Sequence, residues 1–222
     1  MNELATLAAT QREVLAALGC VLEGDYFFAL KSGRVARKYI NIDPLLTKPL
    51  LLAAAVENML CVIPSERFKN IETIAAPAVG GIAFAYALSA AFERLTGRRP
   101  DVAFAEKSGT EFKFERMGFA QVIRNRKVLV VEDIGSTGGS VKKVVDEVRT
   151  LRGRVIETCF LWNRGNLTAA QVGSPTCSLI NETITDWSPE DCPDWGEFPL
   201  VSDIGHPEYF PNYPGGYISL LK

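Results

Sequence analysis

KVLVVEDIGSTGGSV, residues Lys127 to Val141, opens on a run of apolar, mostly β-branched side chains, Val128 to Val131. Such a run suits a strand buried on both faces. Glu132 and Asp133 follow at its carboxyl end. Next comes a turn of small residues, Gly135-Ser136-Thr137-Gly138-Gly139-Ser140, and then a helical stripe of Val141, Val144, Val145, Val148 and Leu151. Strand, small-residue turn and helix together predict a phosphate site. Glycines let the backbone approach an anion, the hydroxyls add donors, and a helix N-terminus presents unpaired N–H groups and the positive end of its dipole.

A plain phosphate loop has no use for the two acids. Carboxylates repel a phosphate unless they hold a metal-bridged group or the hydroxyls of a ribose, so the expected ligand carries both a sugar diol and a phosphate. A Walker A loop is excluded because no Lys precedes Ser140. A dinucleotide fingerprint is disfavoured because its acid follows the glycines, whereas here the acids come first. A methyltransferase-type strand, acid and glycine loop is closer in appearance, but that motif follows the first strand of its domain and this one lies past the midpoint of the chain.

An apolar strand, two acids, an apolar residue and a Thr/Gly/Ser-rich loop resemble the phosphoribosyltransferase signature. The resemblance implies that Glu132 and Asp133 contact the ribose hydroxyls of phosphoribosyl pyrophosphate (PRPP). It implies further that Gly135, Ser136, Thr137, Gly138, Gly139 and Ser140 hold its 5′-phosphate.

Working outward, Leu4 to Leu18 has apolar positions at helical spacing, with Gly19 placed to end the helix. Aromatic and apolar residues alternate about Ser32-Gly33, from Tyr26 to Ile42, and predict a β-hairpin carrying Lys31, Arg34, Arg37 and Lys38. The pattern F-x-L-K-S-G-R with a later Tyr and Asn resembles the N-terminal hood of orotate phosphoribosyltransferases. By that resemblance Lys31 reaches the pyrophosphate of PRPP, and Tyr39 and Ile40 lie in the base-binding region. A lysine on a hairpin also serves simply as a solvated edge residue.

Pro49 to Val62 reads as a helix and Ile71 to Ala76 as a short buried strand. Pro77-Ala78-Val79-Gly80-Gly81 then opens onto a helix from Ile82 to Leu95, again an anion-friendly geometry. The resemblance makes this the pyrophosphate loop, with Pro77, Gly80 and Gly81 as PRPP-binding positions; Gly80 stands where many orotate enzymes carry a Lys. After a strand from Asp101 to Ala105, the polar segment Glu106 to Arg116 reads as an exposed mobile loop, which the resemblance makes a catalytic lid. Lys107 matches the family's lysine at the strand end, Glu106 replaces an Arg, and the lid His is absent. Lys113 or Arg116 is the candidate lid cation. A strand from Val155 to Leu161 leads into Trp162-Asn163-Arg164-Gly165, and Arg164 matches an Arg that binds the carboxylate of the base; a guanidinium suits that partner. Leu167 to Val172 gives one or two helical turns and Cys177 to Asn181 a last strand. From Asp186 the chain is rich in Pro and aromatic residues and loses periodicity.

The chain has 222 residues, 47% hydrophobic and 23% charged, with a formal net charge of −2, which fits one α/β domain with an appendage. Nothing in that balance calls for nucleic acid or an anionic membrane as partner. No apolar run reaches the roughly 18 residues of a membrane span, and the N-terminus has the character of neither a signal nor a transit peptide. Five scattered cysteines without a C-x-x-C pair predict neither a disulfide framework nor a zinc site and fit a reducing cytoplasm. A single histidine, His206, argues against multi-histidine metal centres and Ser-His-Asp hydrolysis.

The expected fold is therefore α/β. By resemblance it is a type I phosphoribosyltransferase fold, with a central parallel sheet flanked by helices and a small N-terminal hood. The expected parts are 1–48 (helix and hood hairpin), 49–185 (α/β core) and 186–222 (irregular extension). The resemblance implies transfer of ribose 5-phosphate from PRPP to a nitrogenous base, orotate foremost, in pyrimidine biosynthesis. Asp133, Glu132, Lys107 and Lys113 take the catalytic roles, Mg²⁺ is held mainly through PRPP and water, and the assembly is a homodimer. The alternatives are another base, or a PRPP-binding regulator without catalysis.

Overall fold

The computed structural model describes residues 3–221. Met1, Asn2 and Lys222, the outermost residues of the first and last expected parts, lie outside that range. The chain forms two compact units: the residues up to Val14 with Leu45–Thr183, and Leu15–Pro44 with the residues from Ile184 onward. The tail shares a unit with the hairpin.

In chain order, helix α1 (Glu3–Ala17) is followed by strands β1 (Val21–Ala29) and β2 (Val35–Ile40), then helices α2 (Asp43–Leu46), α3 (Pro49–Cys61) and α4 (Ser65–Phe68). Strand β3 (Thr73–Pro77), helix α5 (Gly80–Thr96), strands β4 (Asp101–Ser108) and β5 (Glu111–Lys113) and helix α6 (Phe119–Ile123) come next. Strand β6 (Lys127–Gly135), helix α7 (Gly139–Thr150), strand β7 (Arg154–Asn163), helix α8 (Ala169–Val172) and strand β8 (Thr176–Asn181) complete the larger unit. The tail adds β9 (Leu200–Val201) and β10 (Tyr217–Ile218).

The larger unit is built on a six-stranded sheet of order β5-β4-β3-β6-β7-β8. Five neighbouring strands are parallel and β5 pairs antiparallel at one edge. The quoted stretch occupies the middle: Val128 to Val131 are all fully buried between β3 and β7, which explains a strand apolar at every position. Val128 and Val130 pack with Val141, Val144, Val145 and Val148 of α7, the stripe that the sequence spacing predicts. Leu129 and Val131 have the opposite pleat, toward the face where Gly81 of α5 closes on Ala76 and the Val131 carbonyl. From β3 the chain runs outward to β4, and from β6 it runs outward to β7 on the other side. The strand order therefore reverses between β3 and β6, and in open α/β sheets ligands bind at the carboxyl ends of the strands at such a switch.

The segment 106–116 departs from the expected loop. β4 runs on to Ser108 and turns through Gly109 and Thr110 into β5, pairing Glu106 with Lys113, Lys107 with Phe112 and Ser108 with Glu111. The cause is an alternation hidden among charges: Phe112 and Phe114 pack against the α7-side core, while Glu111 and Glu115 are exposed.

The smaller unit is a four-stranded sheet, β10-β9-β1-β2. Hairpin and tail share a core of Phe27, Ala29, Val35, Cys192, Leu200 and Tyr213. Arg34 pairs with Asp186 at 2.7 Å and Arg37 with Asp194 at 2.6 Å. Arg37 also lies 4.2 Å from the ring centre of Phe198. Two of the four hairpin cations thus fasten the tail.

Candidate active site

Both small-residue turns of the larger unit sit at the switch point, one after β3 and one after β6. Glu132 and Asp133 are the sixth and seventh of the nine residues of β6 and are half-buried. Asp133 Oδ1 accepts the N–H of Ile134 at 2.8 Å. Its Oδ2 lies 2.6 Å from where a Cβ on Gly80 would stand, so this carboxylate fills the space a side chain at position 80 would need. α5 has no acid in its first turn and no side-chain cap, and Asp133 therefore sits against the positive end of that helix dipole. Glu132 follows the pleat of Val130 and falls on the α7 face. Pro77 ends β3, the Ala78–Val79 peptide is cis, and Val79 is exposed.

The turn after β6 is braced from behind. Gly138 has φ +77° and is the N-cap of α7, with no side-chain cap and no acid in the first turn, so the first N–H groups of that helix remain open to an anion. Thr137 and Gly139 are exposed; Ser136 and Ser140 are half-buried. The Gly135 carbonyl accepts two N–H groups, from Arg164 at 2.9 Å and Gly165 at 3.0 Å. Arg164 Nη2 donates to Ser136 Oγ at 2.7 Å. A Cβ on Gly165 would lie 1.7 Å from the Ser136 carbonyl oxygen, so nothing larger than glycine fits there. Asn163 Oδ1 accepts the Leu167 N–H at 2.8 Å and its Nδ2 donates to the Leu167 carbonyl at 3.1 Å, which sets Leu167 beneath Gly135 and Gly138. The sequence reading missed Asn163, Gly165 and Leu167 as parts of this turn. Their available signal was Asn-x-Gly at a strand end, where an Asn side chain organises the following backbone.

The expected cations fall into two groups. Lys107 on β4 and Lys31 in the hairpin turn are exposed and make no hydrogen bond or ion pair among the described residues. Lys113 is paired with Glu147 of α7 at 2.7 Å, and that hydrogen bond holds its ammonium above the ordinary lysine range. Arg116 grips both oxygens of Glu106, at 2.9 and 2.8 Å, and lies 5.0 Å from the ring centre of Phe104. Glu106 is therefore the anchor of the other lid candidate. In the smaller unit Tyr39 packs on Phe28 with ring centres 5.2 Å apart, and Ile40 is buried at 4% exposure.

Among the described residues no group of three or more His, Cys, Asp or Glu could hold a metal ion. Glu132 and Asp133 stand on opposite faces of β6, so a Mg²⁺ ion at this site would be held mainly by substrate phosphates and water, with at most one of the two carboxylates beside it. No helix among them is long and apolar enough to cross a membrane.

A sequence model described as the phosphoribosyl transferase domain matches residues 45–194. The chain belongs to the phosphoribosyltransferase family. Its curated relatives include an orotate phosphoribosyltransferase of Caldicellulosiruptor saccharolyticus, 32% identical over 82% of this chain and 88% of the relative. One from Pelotomaculum thermopropionicum is 33% identical over 79% and 85%. The crystal structure of orotate phosphoribosyltransferase from Aeropyrum pernix superposes with a TM-score of 0.62 at 22% identity, over 76% of this chain and 92% of that one. Central parallel sheet and flanking helices are those of a type I phosphoribosyltransferase, as expected from the sequence, and the matched region contains both turns of the switch point.

Proposed function

We propose that this phosphoribosyltransferase transfers ribose 5-phosphate from PRPP to orotate, giving orotidine 5′-monophosphate and pyrophosphate. The observation that carries the proposal is the placement of two carboxylates directly before an uncapped helix N-terminus at the switch point. That arrangement matches a ligand with a diol and a phosphate a few ångströms apart. The curated relatives quoted above, all named for the orotate reaction, support the choice of base.

Departure of pyrophosphate builds positive charge on the ribose, so the transition state is oxocarbenium-like, as in glycoside cleavage. In this reading Asp133 and Glu132 accept hydrogen bonds from the ribose hydroxyls, and their negative charge stabilises the developing cation. Ser136, Thr137, Ser140 and the backbone of Gly135, Gly138 and Gly139 hold the 5′-phosphate. Pro77, Gly80 and Gly81 form the backbone cradle for the pyrophosphate, with Lys107 and, by family resemblance, Lys31 as its cations. Lys113 reaches the pyrophosphate only after leaving Glu147. Mg²⁺ would supply charge neutralisation on the leaving group. Tyr39 and Ile40 are assigned to the base by resemblance, and a cytoplasmic homodimer belongs to the same proposal.

A second reading, a different base, is favoured by two features: Gly80 in place of a lysine, and Glu106 tied to Arg116 where the orotate enzymes have a cation. Pyrophosphate release from PRPP, with and without Mg²⁺, against orotate, uracil, adenine and hypoxanthine separates the two. The proposal expects Mg²⁺-dependent release with orotate alone. Release with a purine or uracil instead moves the specificity, and PRPP binding without release from any base makes the chain a PRPP-binding regulator.

A further inference from the structure

We propose that the amino-terminal end of the six-stranded sheet carries an anion site for the phosphate chain of a small polyphosphate. The site stands apart from the proposed reaction, because β6 separates it from Gly135 by about 26 Å at the rise of an extended strand. Two turns meet there. One follows α6, at Arg124, Asn125 and Arg126; the other follows α7, at Leu151 to Gly153, and leads into Arg154. Asn125 donates its N–H to the Arg152 carbonyl at 3.1 Å, and Arg154 donates its own to the Arg126 carbonyl at 2.8 Å. Gly153 is buried, and a Cβ on it would come within 2.8 Å of Ile123 Cγ2 and 3.0 Å of the Ile123 carbonyl oxygen. The two turns are thus held at a fixed spacing. A cavity of about 220 Å³ is lined by residues of both, Arg124, Leu151 and Arg152, and by Thr150.

Four arginines in two short turns do not follow from composition, since the formal net charge of the chain is −2. Arginines at a helix C-terminus ordinarily bond its last carbonyls or answer its dipole. Here the backbone takes those carbonyls: Glu147, Val148 and Arg149 accept the N–H groups of Leu151, Gly153 and Arg152 at 3.0, 2.8 and 2.8 Å. Every cation of α7 itself has a partner, Lys142 and Arg149 in Asp146 and Lys143 in the Thr110 carbonyl. The side chains of Arg124, Arg152 and Arg154 have none among the described residues, and Arg126 stands 3.9 Å from Glu72. Thr150 donates its hydroxyl to the Asp146 carbonyl at 3.1 Å, which leaves the two lining guanidiniums as the donors. Arg152 has φ +64°, where glycine is the unstrained residue, so a cation is kept at a backbone position that disfavours it. A planar guanidinium fork fits paired phosphate oxygens, and a phosphate chain offers several such pairs. No aromatic residue lines the cavity, so it lacks the ring on which single-stranded nucleic acid stacks its bases.

The test titrates sodium tripolyphosphate into the full chain at about 150 mM NaCl, where long-range attraction is screened. Arginine Nε–Hε signals are followed by NMR, with NaCl of equal ionic strength as the blank. These signals report the cavity itself, so tripolyphosphate bound at the switch point does not enter the reading. Arg124 and Arg152 should shift together and saturate with one apparent Kd. Arg152→Gly removes the cation and relieves its φ, so the melting temperature should hold or rise. The Kd read at Arg124 should then weaken about tenfold or more, the scale of a lost charge-assisted hydrogen bond. Arg124→Gln, an exposed substitution, should weaken the Kd read at Arg152 to a similar degree. Shifts that merely follow the NaCl blank overturn the site, and so does a Kd that both variants leave unchanged. Saturation by a short oligothymidylate but not by tripolyphosphate overturns the small-polyphosphate class in favour of nucleic acid.

Discussion

At the scale of single residues, the glycines of the switch point separate into those that carry the fold and those that carry the ligand. A Cβ at Gly165 would collide with backbone, the Ser136 carbonyl at 1.7 Å, and no rotamer relieves that. Gly165→Ala should cost about 3 kcal/mol or more, the range of severe core changes, and abolish PRPP binding; a thermal melt and a PRPP titration read both. At Gly139 the nearest atom to a Cβ is 3.7 Å away, an ordinary contact, and alanine favours a first helical turn. Gly139→Ala should therefore leave the melting temperature unchanged or raised while the PRPP KM rises, because the added methyl stands where the phosphate approaches. Equal losses of stability in the two variants would refute this division. Glu132, Asp133 and the glycines were legible because their chemistry is local in sequence. Arg164 was legible only as a position: its contact with Ser136 spans 28 residues, and no spacing rule reports where a long side chain turns.

At the scale of elements, β4, β5 and α7 form one device. The β5 strand is held to α7 by Lys113 and Glu147, and Lys143 donates to the Thr110 carbonyl at the hairpin turn. Glu147 lies eight residues beyond Gly139, so Lys113 is docked about 12 Å along the helix from its N-terminus. The hairpin must loosen from α7 for Lys113 to act at the pyrophosphate. Glu147→Gln should speed amide exchange in Glu111–Lys113 and leave the global urea midpoint nearly unchanged, since solvent screens the exposed lysine of this pair. Unchanged exchange in β5 would mean that the ion pair does not fasten the hairpin. β6 and α7 were readable because one has a continuous apolar run and the other a full helical stripe. β5 was not, since three residues carry too short an alternation to stand out from surrounding charges.

At the scale of the whole molecule, each unit has its own stability determinant. In the larger one, Glu157 of β7 is fully buried and bound by Arg67 of α4, while its Oε1 has no hydrogen-bond partner among the described residues. Burial raises its carboxyl above the ordinary glutamate range, and the bond to Arg67 offsets part of that. A folded pKa above the unfolded one means that the contribution is full below the unfolded value and is lost as pH rises through the folded one. Arg67→Met leaves the carboxylate buried without its cation. It should cost about 2 kcal/mol at neutral pH, below the usual range for broken buried pairs because Arg67 is partly exposed. The deficit should shrink on acidification as Glu157 takes up a proton; urea melts across pH would show it, and a deficit that grows on acidification would contradict it. In the smaller unit, truncation after Thr183 removes Leu200 and Tyr213 from the core around Phe27 and the Trp187 carbonyl from the Val35 N–H. Amide protection in β1 and β2 should be lost while the six-stranded sheet keeps its own. The parallel sheet was foreseeable from alternating strands and helices. The tail was not, because its two-residue strands and its ion pairs to Arg34 and Arg37 are long-range matches with no periodicity of their own.

The most direct test of the central claim, that Glu132–Ser140 is a PRPP site at which transfer occurs, is the rate of orotate consumption with PRPP and Mg²⁺ in the wild-type chain and in Asp133→Asn. The account predicts turnover in the wild type and a loss of at least about a hundredfold in kcat for the variant, the scale of one transition-state electrostatic contact, with the fold retained by circular dichroism. Equal rates in the two proteins, or PRPP consumption that does not depend on Asp133, would contradict it.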